Sequence, residues 1–551
     1  MADRRDAAVL GTAAALTAAP VLLDLLLSRR PAAFRYFASD AYYYLDVARN
    51  AAKNGLFSFD GEFPTNGFHP LWQVALAGVY KAGLAVGLSE LAICSLAVVL
   101  GAVLAALSVL VLGRTIGRAR GALPVSFALL PVGLYALLLA PAWLWTQAVL
   151  GNASPSEGPL PLQGTAWSYA NGMESGLALF AFAVLAALAV GGPPRTLRRA
   201  GLLGLAGAFL VLARLDEVFV ACAVLAFLAV RLLALEGLAS LGRVLALGAG
   251  FGLPVVLYLF VNFATCGLAF PVSGAAKISF AAAGRSNLES IAVVLSVGPG
   301  ARYWLDRVFR LAQILVPGAV AAAFLLLWAR RAKAVVRDEL GTFLAAAAAG
   351  VLSLCGFVFL FTEAKAYGSW SLPVPVLFVS LALLGLFAGR PPVAQAGLRL
   401  GACAAAGVAV FLVLHRQPEH HETYRRMYER RGAVQAAYRA RPPRVIEVDD
   451  GIVGFATGFH TLSGLGFAAD RELLAALKAG RLLPLARERG YDRIASLIYL
   501  PPHASPGAAL RFLASTYRDE TGQALYALEY YDPALPFAIA RISYPTSSAS
   551  P

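Results

Sequence analysis

Long apolar runs are the dominant pattern along this chain. Residues 90–113, 243–264, 308–329 and 340–361 each carry little or no charge over roughly twenty positions, the length that crosses a hydrocarbon core of about 30 Å. Other runs of the same kind complete a series of about eleven predicted spans. The spans are 8–28, 90–113, 122–142, 172–191, 199–213, 217–235, 243–264, 308–329, 340–361, 372–389 and 397–414. The pattern therefore predicts a mostly α-helical, polytopic membrane protein.

Basic residues between the runs predict how the chain is oriented. They cluster in short loops after alternate spans, as the cytoplasmic loops of membrane proteins do. The clusters are Arg114, Arg118 and Arg120; Arg195, Arg198 and Arg199; Arg330, Arg331, Lys333 and Arg337; and Arg390 with Arg399. Three basic residues after the first span favour the opposite orientation, but the four clusters outnumber them. They are Arg29, Arg30 and Arg35. We therefore expect a bacterial inner-membrane protein with a cytoplasmic N-terminus and with all residues after 414 in the periplasm.

The composition supports this class and excludes others. The chain has 551 residues, of which 59% are hydrophobic and 14% charged, too few charges to cover a soluble domain of this size. A net charge of +14 could suggest nucleic-acid binding, but the basic residues follow the pattern of membrane loops, so no nucleic-acid partner is expected. The five cysteines include no CxxC pair. Neither a disulfide framework nor a metal site is therefore predicted.

Composition also divides the chain into three parts. Residues 1–414 form the predicted membrane domain, with residues 29–89 as a large first periplasmic loop. Residues 415–444, rich in Arg, Glu and Tyr, predict a linker helix, and residues 445–551 predict a small periplasmic α/β domain. Its strand-like runs are Val445–Val448, Ile452–Ala456, Ile494–Ile498 and Phe537–Ile542, and a helical pattern covers 471–488.

The first loop carries the most informative polar residues. Asp40 precedes an amphipathic helical stretch from Ala41 to Lys53, just beyond the first predicted span. A carboxylate at the membrane surface is well placed to meet a lipid-borne substrate, and sugar transfer to a hydroxyl needs a base near the nucleophile. Asp40 is therefore the candidate base. The alternative is structural, because Ser39 or Asp40 could simply cap the helix.

Two stretches of this loop resemble the GT-C glycosyltransferases, which are polytopic enzymes that use polyprenyl-phosphate sugars. Ser39 to Asn50 is similar to a helix of that family that reads acidic-acidic-Ala-Tyr-Tyr…Ala-Arg-Asn. Thr65 to Trp72 reads Thr-Asn-Gly-Phe-His-Pro-Leu-Trp, a segment of the family's bacterial and archaeal group. Further similarity lies in Gly172–Ser175, Ala213–Asp216, Pro271–Lys277, Asp450–Gly454 and Leu462–Leu465.

The resemblance implies a GT-C-type membrane domain that transfers a sugar from a polyprenyl-phosphate donor, with Asp40 as the base. The acceptor would be a cell-envelope glycan, lipid or protein, and the protein's other partners would be membrane lipids. No cofactor and no metal is expected beside the lipid-linked donor. Relatives often show two adjacent acids where this chain has Ser39 and Asp40, so a catalytically inactive relative is one alternative. A transporter or flippase of a lipid-linked saccharide is another, although no internal repeat typical of transporters is evident.

Other polar residues in these motifs are candidates for substrate binding. Arg214 and Asp216, with Glu217, interrupt an apolar stretch, and ionisable residues in such a place mark a functional cavity unless they pair with one another. Arg214 and Lys277 are the candidates for the donor phosphate. The alternatives are an internal ion pair of Arg214 with Asp216 or Glu217, and a lipid-headgroup contact for Lys277. The remaining candidates are Glu174, His69, Asn66 and Arg49.

Overall fold

The chain is mostly helical, with one small sheet near its C-terminal end. The computed structural model describes residues 2–28, 31–37, 40–121, 127, 169–279, 287–289, 291–292, 304–330, 338–362, 374–375, 377–378, 422–439, 442–447, 451–466, 468–497, 505–516, 524–532 and 537–543. The helices before the sheet are α1 (Ala2–Leu27), α2 (Ala33–Tyr36), α3 (Ala41–Asn54), α4 (Pro70–Ala85), α5 (Glu90–Arg120), α6 (Ser175–Ala189), α7 (Leu197–Ala213), α8 (Val218–Glu236), α9 (Leu241–Cys266), α10 (Val272–Ser279), α11 (Trp304–Arg330), α12 (Glu339–Phe361), α13 (Glu422–Glu429) and α14 (Arg431–Ala437).

Several of these helices are suited to a bilayer. Three described helical stretches are long and apolar enough to cross a membrane, namely Glu90–Arg120, Leu215–Cys266 and Glu339–Phe361. A bent pair, Asp6–Ala19 and Val21–Leu27, is a fourth candidate. The protein is therefore a membrane protein, while the predicted total of about eleven spans stays a prediction. The predicted spans 122–142, 372–389 and 397–414 lie almost entirely outside the described residues.

Glycine contacts bring helices α7, α8, α9 and α12 close together. Gly204 of α7 lies against the backbone carbonyl of Leu247 in α9, and Gly350 of α12 lies against the backbone at Val220 in α8. A side chain at either glycine would collide with the neighbouring backbone, and small residues are what allow membrane helices to approach this closely. These contacts hold α7 and α8 in place, and with them the short 3₁₀ turn Leu215–Glu217 that connects the two helices.

The first loop is tied to the membrane helices. α3 ends at Gly55, whose φ of +75° is a conformation that glycine adopts without strain. α4 begins at Pro70, a favoured residue for a first helical position. Trp72, in the first turn of α4, is completely buried and donates its Nε1–H to the carbonyl of Gly172 at 2.9 Å. This bond joins the first loop to the residues that precede α6.

Five strands form the sheet near the C-terminus. They are β1 (Arg444–Glu447), β2 (His460–Ser463), β3 (Arg493–Leu497), β4 (Leu525–Asp532) and β5 (Phe537–Ser543), in the order β2-β1-β3-β5-β4. β1 pairs in parallel with β2 and β3, and β5 pairs antiparallel with β3 and β4. The accompanying helices are α15 (Ile452–Thr457), α16 (Arg471–Lys478), α17 (Leu482–Glu488) and α18 (Pro506–Thr516). β2 and β4 are strands that the sequence pattern did not predict.

The predicted strand Ile452–Ala456 is wrong, because these residues form helix α15. All six residues of α15 are buried, and periodicity cannot distinguish a short buried helix from a buried strand. β1 and β2 are parallel neighbours, so the chain between them must cross over rather than turn back. α15 supplies that crossover.

The sheet region, residues 444–543, packs directly on the first loop. Thr65 donates its hydroxyl to the carbonyl of Ala469 at 2.7 Å. Gly454 of α15 lies so close to Asp46 of α3 that an added Cβ would be 2.7 Å from the Oδ2 atom of Asp46. α3 also packs along α4. It therefore lies between α4 and the sheet region, with Asp40 at its start.

Candidate active site

Asp40 immediately precedes α3 and is half-buried. Its backbone is helical (φ −60°, ψ −19°), and its side chain accepts no capping hydrogen bond from the first turn of the helix. The capping role, which the sequence left open for Asp40, is therefore absent at this helix start.

Tyr44 lies one helical turn after Asp40, on the same face of α3. Its hydroxyl oxygen accepts a hydrogen bond from the backbone N–H of His69 at 3.1 Å. Burial, followed by the negative charge of Glu174, raises the pKa of Tyr44 well above its ordinary value of 10. The charges of Arg214 and Asp40 act on the same hydroxyl in opposite directions. Tyr44 therefore keeps its proton at physiological pH and can donate it to a neighbouring oxygen.

His69 connects the first loop to two other parts of the chain. The backbone N–H of Leu215, in the turn between α7 and α8, donates to Nδ1 of His69 at 3.1 Å. The other ring nitrogen, Nε2, lies 3.4 Å from Oε1 of Glu174, the residue before α6. His69 of the Thr65–Trp72 motif thus contacts two of the other motifs, Gly172–Ser175 and Ala213–Asp216.

Arg214 lies between two carboxylates. It forms an ion pair with Glu174, and its Nε and Nη2 atoms lie 2.9 and 3.0 Å from the two carboxylate oxygens of Asp216. The side chains are 5%, 1% and 15% exposed for Arg214, Glu174 and Asp216, so water screens these charges little. The Arg214–Asp216 ion pair that the sequence left as an alternative is present. The positive charge of Arg214 is therefore already balanced inside the protein.

Glu217 is a functional candidate that was absent from the predicted set of site residues. It ends the turn Leu215–Glu217 and is completely buried. Neither of its carboxylate oxygens has a hydrogen-bond partner in the part of the chain that the structure describes. The sequence already carried its signal, an acidic residue beside Asp216 inside an apolar run, since such residues in membrane proteins are costly and usually functional.

These residues form one group, here called the acidic cluster. It contains four carboxyl groups and one guanidinium among its described side chains. A buried carboxylate, a protonated phenol and an imidazole at hydrogen-bonding distance are the groups that general acid–base chemistry uses. The cluster consists of Asp40, Tyr44, His69, Glu174, Arg214, Asp216 and Glu217.

Two predicted site residues, Asn66 and Arg49, have their described contacts elsewhere, and a third, Lys277, has no described side chain. Asn66 donates to the carbonyls of Leu268 and Phe270 at 3.0 and 3.2 Å and accepts from the N–H of Val272 at 3.0 Å. It therefore binds the segment that leads into α10. Lys277 lies in α10, and its side chain is outside the described residues.

Arg49 belongs to a second buried group on α3. Its Nη2 lies 2.6 Å from Asp46, and its Nη1 lies 3.5 Å from Glu90 at the start of α5. Burial raises the pKa of Asp46 to about 7, although the charge of Arg49 acts against this. Arg49 thus neutralises buried carboxylates, and its predicted contact with substrate stays a prediction.

The carboxyl oxygens of the acidic cluster are of the type that hard metal ions bind. Within the described residues, no group of three or more His, Cys, Asp or Glu side chains is arranged to hold a metal ion. The expectation that the protein uses no metal and no cofactor stays a prediction. The donor set itself would suit proton transfer and hydrogen bonding to hydroxyl groups.

Comparisons with known proteins give a distant similarity to solved structures. No family model and no curated protein matches the chain. Among solved structures it is similar to the crystal structure of the Archaeoglobus fulgidus oligosaccharyltransferase in complex with Zn and sulfate, with a TM-score of 0.43 and 13% sequence identity. The match covers 97% of this chain and 72% of that chain. A similarity of this level shows neither a shared family nor a shared activity.

Proposed function

We propose that this chain is a glycosyltransferase that moves a sugar from a polyprenyl-phosphate donor to a cell-envelope acceptor on the periplasmic face of the inner membrane. The observation that supports the proposal is the acidic cluster itself. Four separate sequence motifs contribute to it: Ser39–Asn50 through Tyr44, Thr65–Trp72 through His69, Gly172–Ser175 through Glu174, and Ala213–Asp216 through Arg214. These are the motifs that resemble the GT-C glycosyltransferases, and a shared site explains why they occur together.

Asp40 acts as the base in this proposal. Its carboxylate takes the proton from an acceptor hydroxyl while the acceptor oxygen forms a bond to the anomeric carbon of the donor sugar. The bond between that carbon and the phosphate oxygen breaks, and the lipid phosphate leaves with its electron pair. Tyr44 donates a hydrogen bond to an oxygen of the reacting groups, because its hydroxyl remains protonated.

The donor phosphate needs cations nearby, and we assign this role to Lys277 together with Arg214. Glu174 and Asp216 already balance Arg214, so Arg214 alone contributes little net positive charge. Its ion pairs do hold both carboxylates at defined positions. Lys277 carries the larger part of the phosphate contact in this proposal, since ammonium and guanidinium groups bind phosphate through charge-assisted hydrogen bonds.

Transfer assays on Asp40 variants test the proposal. Purified protein is placed in proteoliposomes with radiolabelled short-chain polyprenyl-phosphate pentoses and hexoses, and an envelope extract supplies the acceptor. We expect Asp40→Asn to lower sugar transfer by about a hundredfold or more, since it removes the base. Asp40→Glu keeps a carboxylate and should retain part of the activity. Asp492→Asn is the matched control, because Asp492 is half-exposed on the sheet region, and it should transfer at the wild-type rate.

Each other outcome has a defined meaning. Wild-type rates in Asp40→Asn would contradict the role of Asp40 as base. Movement of the intact lipid-linked sugar across the bilayer without transfer would contradict the enzymatic function and favour the transporter alternative. A wild-type protein that neither transfers nor moves any member of the donor panel would favour the inactive relative.

A further inference from the structure

His69 contacts a different part of the chain through each of its three nitrogen atoms. Its backbone N–H donates to the hydroxyl of Tyr44 in α3, its Nδ1 accepts from the N–H of Leu215, and its Nε2 faces Glu174. The side chain is about one-fifth exposed, at 21%.

The contact with Leu215 determines where the imidazole carries its proton. A backbone N–H can only donate, so the Nδ1 that receives it must present a lone pair. The single proton of the neutral ring therefore lies on Nε2. That nitrogen lies 3.4 Å from Oε1 of Glu174, which is an acceptor.

We propose that His69 is a positioning residue, held in the Nε2–H tautomer, that fixes the turn Leu215–Glu217 relative to α3. This inference deepens the proposed function, because the groups it aligns are those assigned to sugar transfer. His69 does not act as the acid or base of the reaction. While the Leu215 contact is made, Nδ1 cannot accept a second proton without setting two N–H groups against each other.

Two substitutions separate the two ring nitrogens. The amide oxygen of Asn can occupy the place of Nδ1, so His69→Asn keeps an acceptor for Leu215 and removes the contact with Glu174. The longer Gln places its amide near Nε2, so His69→Gln keeps a donor for Glu174 and leaves the N–H of Leu215 without an acceptor. If the turn is what His69 positions, Asn should preserve function and Gln should not.

A spectroscopic measurement tests the tautomer without any activity assay. The chain has six histidines, so ¹⁵N-histidine labelling of the full-length protein in detergent gives few signals. The signals that disappear in His69→Asn identify His69. We expect an unprotonated, hydrogen-bonded Nδ1 and a protonated Nε2 at neutral pH. A protonated Nδ1, in either the other neutral tautomer or the imidazolium, would overturn the proposal.

Transfer rates of the same variants test what the tautomer does. We expect His69→Asn to stay within a few-fold of the wild type and His69→Gln to lose on the order of tenfold to a hundredfold in turnover, because small misplacements of reacting groups have effects of that size. Equal rates for the two variants would overturn the positioning role. If the wild type transfers no sugar, the proposed function fails, while the tautomer measurement still decides the state of His69.

Discussion

Arg214 and Glu174 form a buried ion pair although 40 positions separate them in the sequence. The pair joins the end of α7 to the start of α6, and Asp216 adds a second carboxylate to the same guanidinium. Removing one partner of a buried pair leaves an uncompensated charge in a medium that solvates it poorly. Arg214 is therefore the counter-charge for two buried carboxyl groups of the acidic cluster.

We therefore predict that Arg214→Met destabilises the protein by about 3–5 kcal/mol, because two carboxylates lose their counter-charge. Arg214→Lys keeps the charge but not the forked geometry, so its loss should be smaller. Thermal unfolding of the purified protein in detergent, followed by intrinsic fluorescence, measures both effects. A melting temperature for Arg214→Met equal to that of the wild type would show that the cluster does not depend on this pair.

Glu217 should behave in the opposite way. Its carboxylate is completely buried and has no hydrogen-bond partner within the described residues, so a neutral side chain of the same shape should be tolerated better. We predict that Glu217→Gln leaves the free energy of unfolding unchanged or raises it, because a neutral amide costs less to bury without partners than a charged carboxylate does. Asp216→Asn is the matched control, since it weakens an existing ion pair and should destabilise. A loss of stability in Glu217→Gln would reveal a partner for Glu217 in the folded protein.

Asp46 makes stability depend on pH. Burial raises the pKa of its carboxyl to about 7 in the folded protein, whereas an aspartate in an unfolded chain has a pKa of about 3.9. Between about pH 4 and pH 7 the folded state therefore binds a proton that the unfolded state has lost, and stability falls as the pH rises through this window. Above pH 7 the loss is complete, and it amounts to roughly 4 kcal/mol.

Asp46→Asn should remove this dependence, because an amide carries no charge at any pH. The difference in melting temperature between the variant and the wild type should be small near pH 4 and should increase in favour of the variant up to about pH 8. Asp492→Asn, at a half-exposed site, serves as the control and should show a constant difference. A constant difference for Asp46→Asn as well would mean that Asp46 is charged throughout this range.

The positions of the long helices could be predicted because a run of about twenty apolar residues is visible in the sequence itself. Helices α5, α8 and α12 begin at Glu90, Val218 and Glu339, within a residue of where the apolar runs begin. α15 could not be predicted in the same way, since a buried run of six residues has no period that identifies it. A long apolar run could be predicted as a helix, whereas a buried run of six residues could not.

The contacts of the site were less accessible to sequence reasoning. The resemblance selected Glu174, His69 and Arg214, but nothing in hydropathy indicates that Arg214 pairs with Glu174 or that His69 accepts from Leu215. Such partners depend on how helices pack, and close packing depends on particular small residues such as Gly204. Tyr44 is different, because residues four apart on a helix share a face, and its place beside Asp40 could have been inferred. The catalytic and binding roles of all these residues stay predictions.

The contact between α15 and α3 provides the last prediction. Gly454 is helical, and alanine in a helix interior is normally favoured over glycine by about 1 kcal/mol. Here an added Cβ would lie 2.6 Å from Oγ1 of Thr461 and 2.7 Å from Oδ2 of Asp46, both inside a closely packed interior. We therefore predict that Gly454→Ala destabilises the protein by about 1–3 kcal/mol through overpacking.

Gly432 of α14 is the matched control for this substitution, because a Cβ added there meets nothing within 4 Å. Gly432→Ala should leave stability unchanged or raise it by up to about 1 kcal/mol. Limited proteolysis distinguishes where Gly454→Ala acts, since displacement of the sheet region from α3 should expose the first loop to cleavage. Because α3 begins beside Asp40, sugar transfer should fall in Gly454→Ala and not in Gly432→Ala. Normal proteolysis and normal transfer in Gly454→Ala would show that α3 is not held in place by the sheet region.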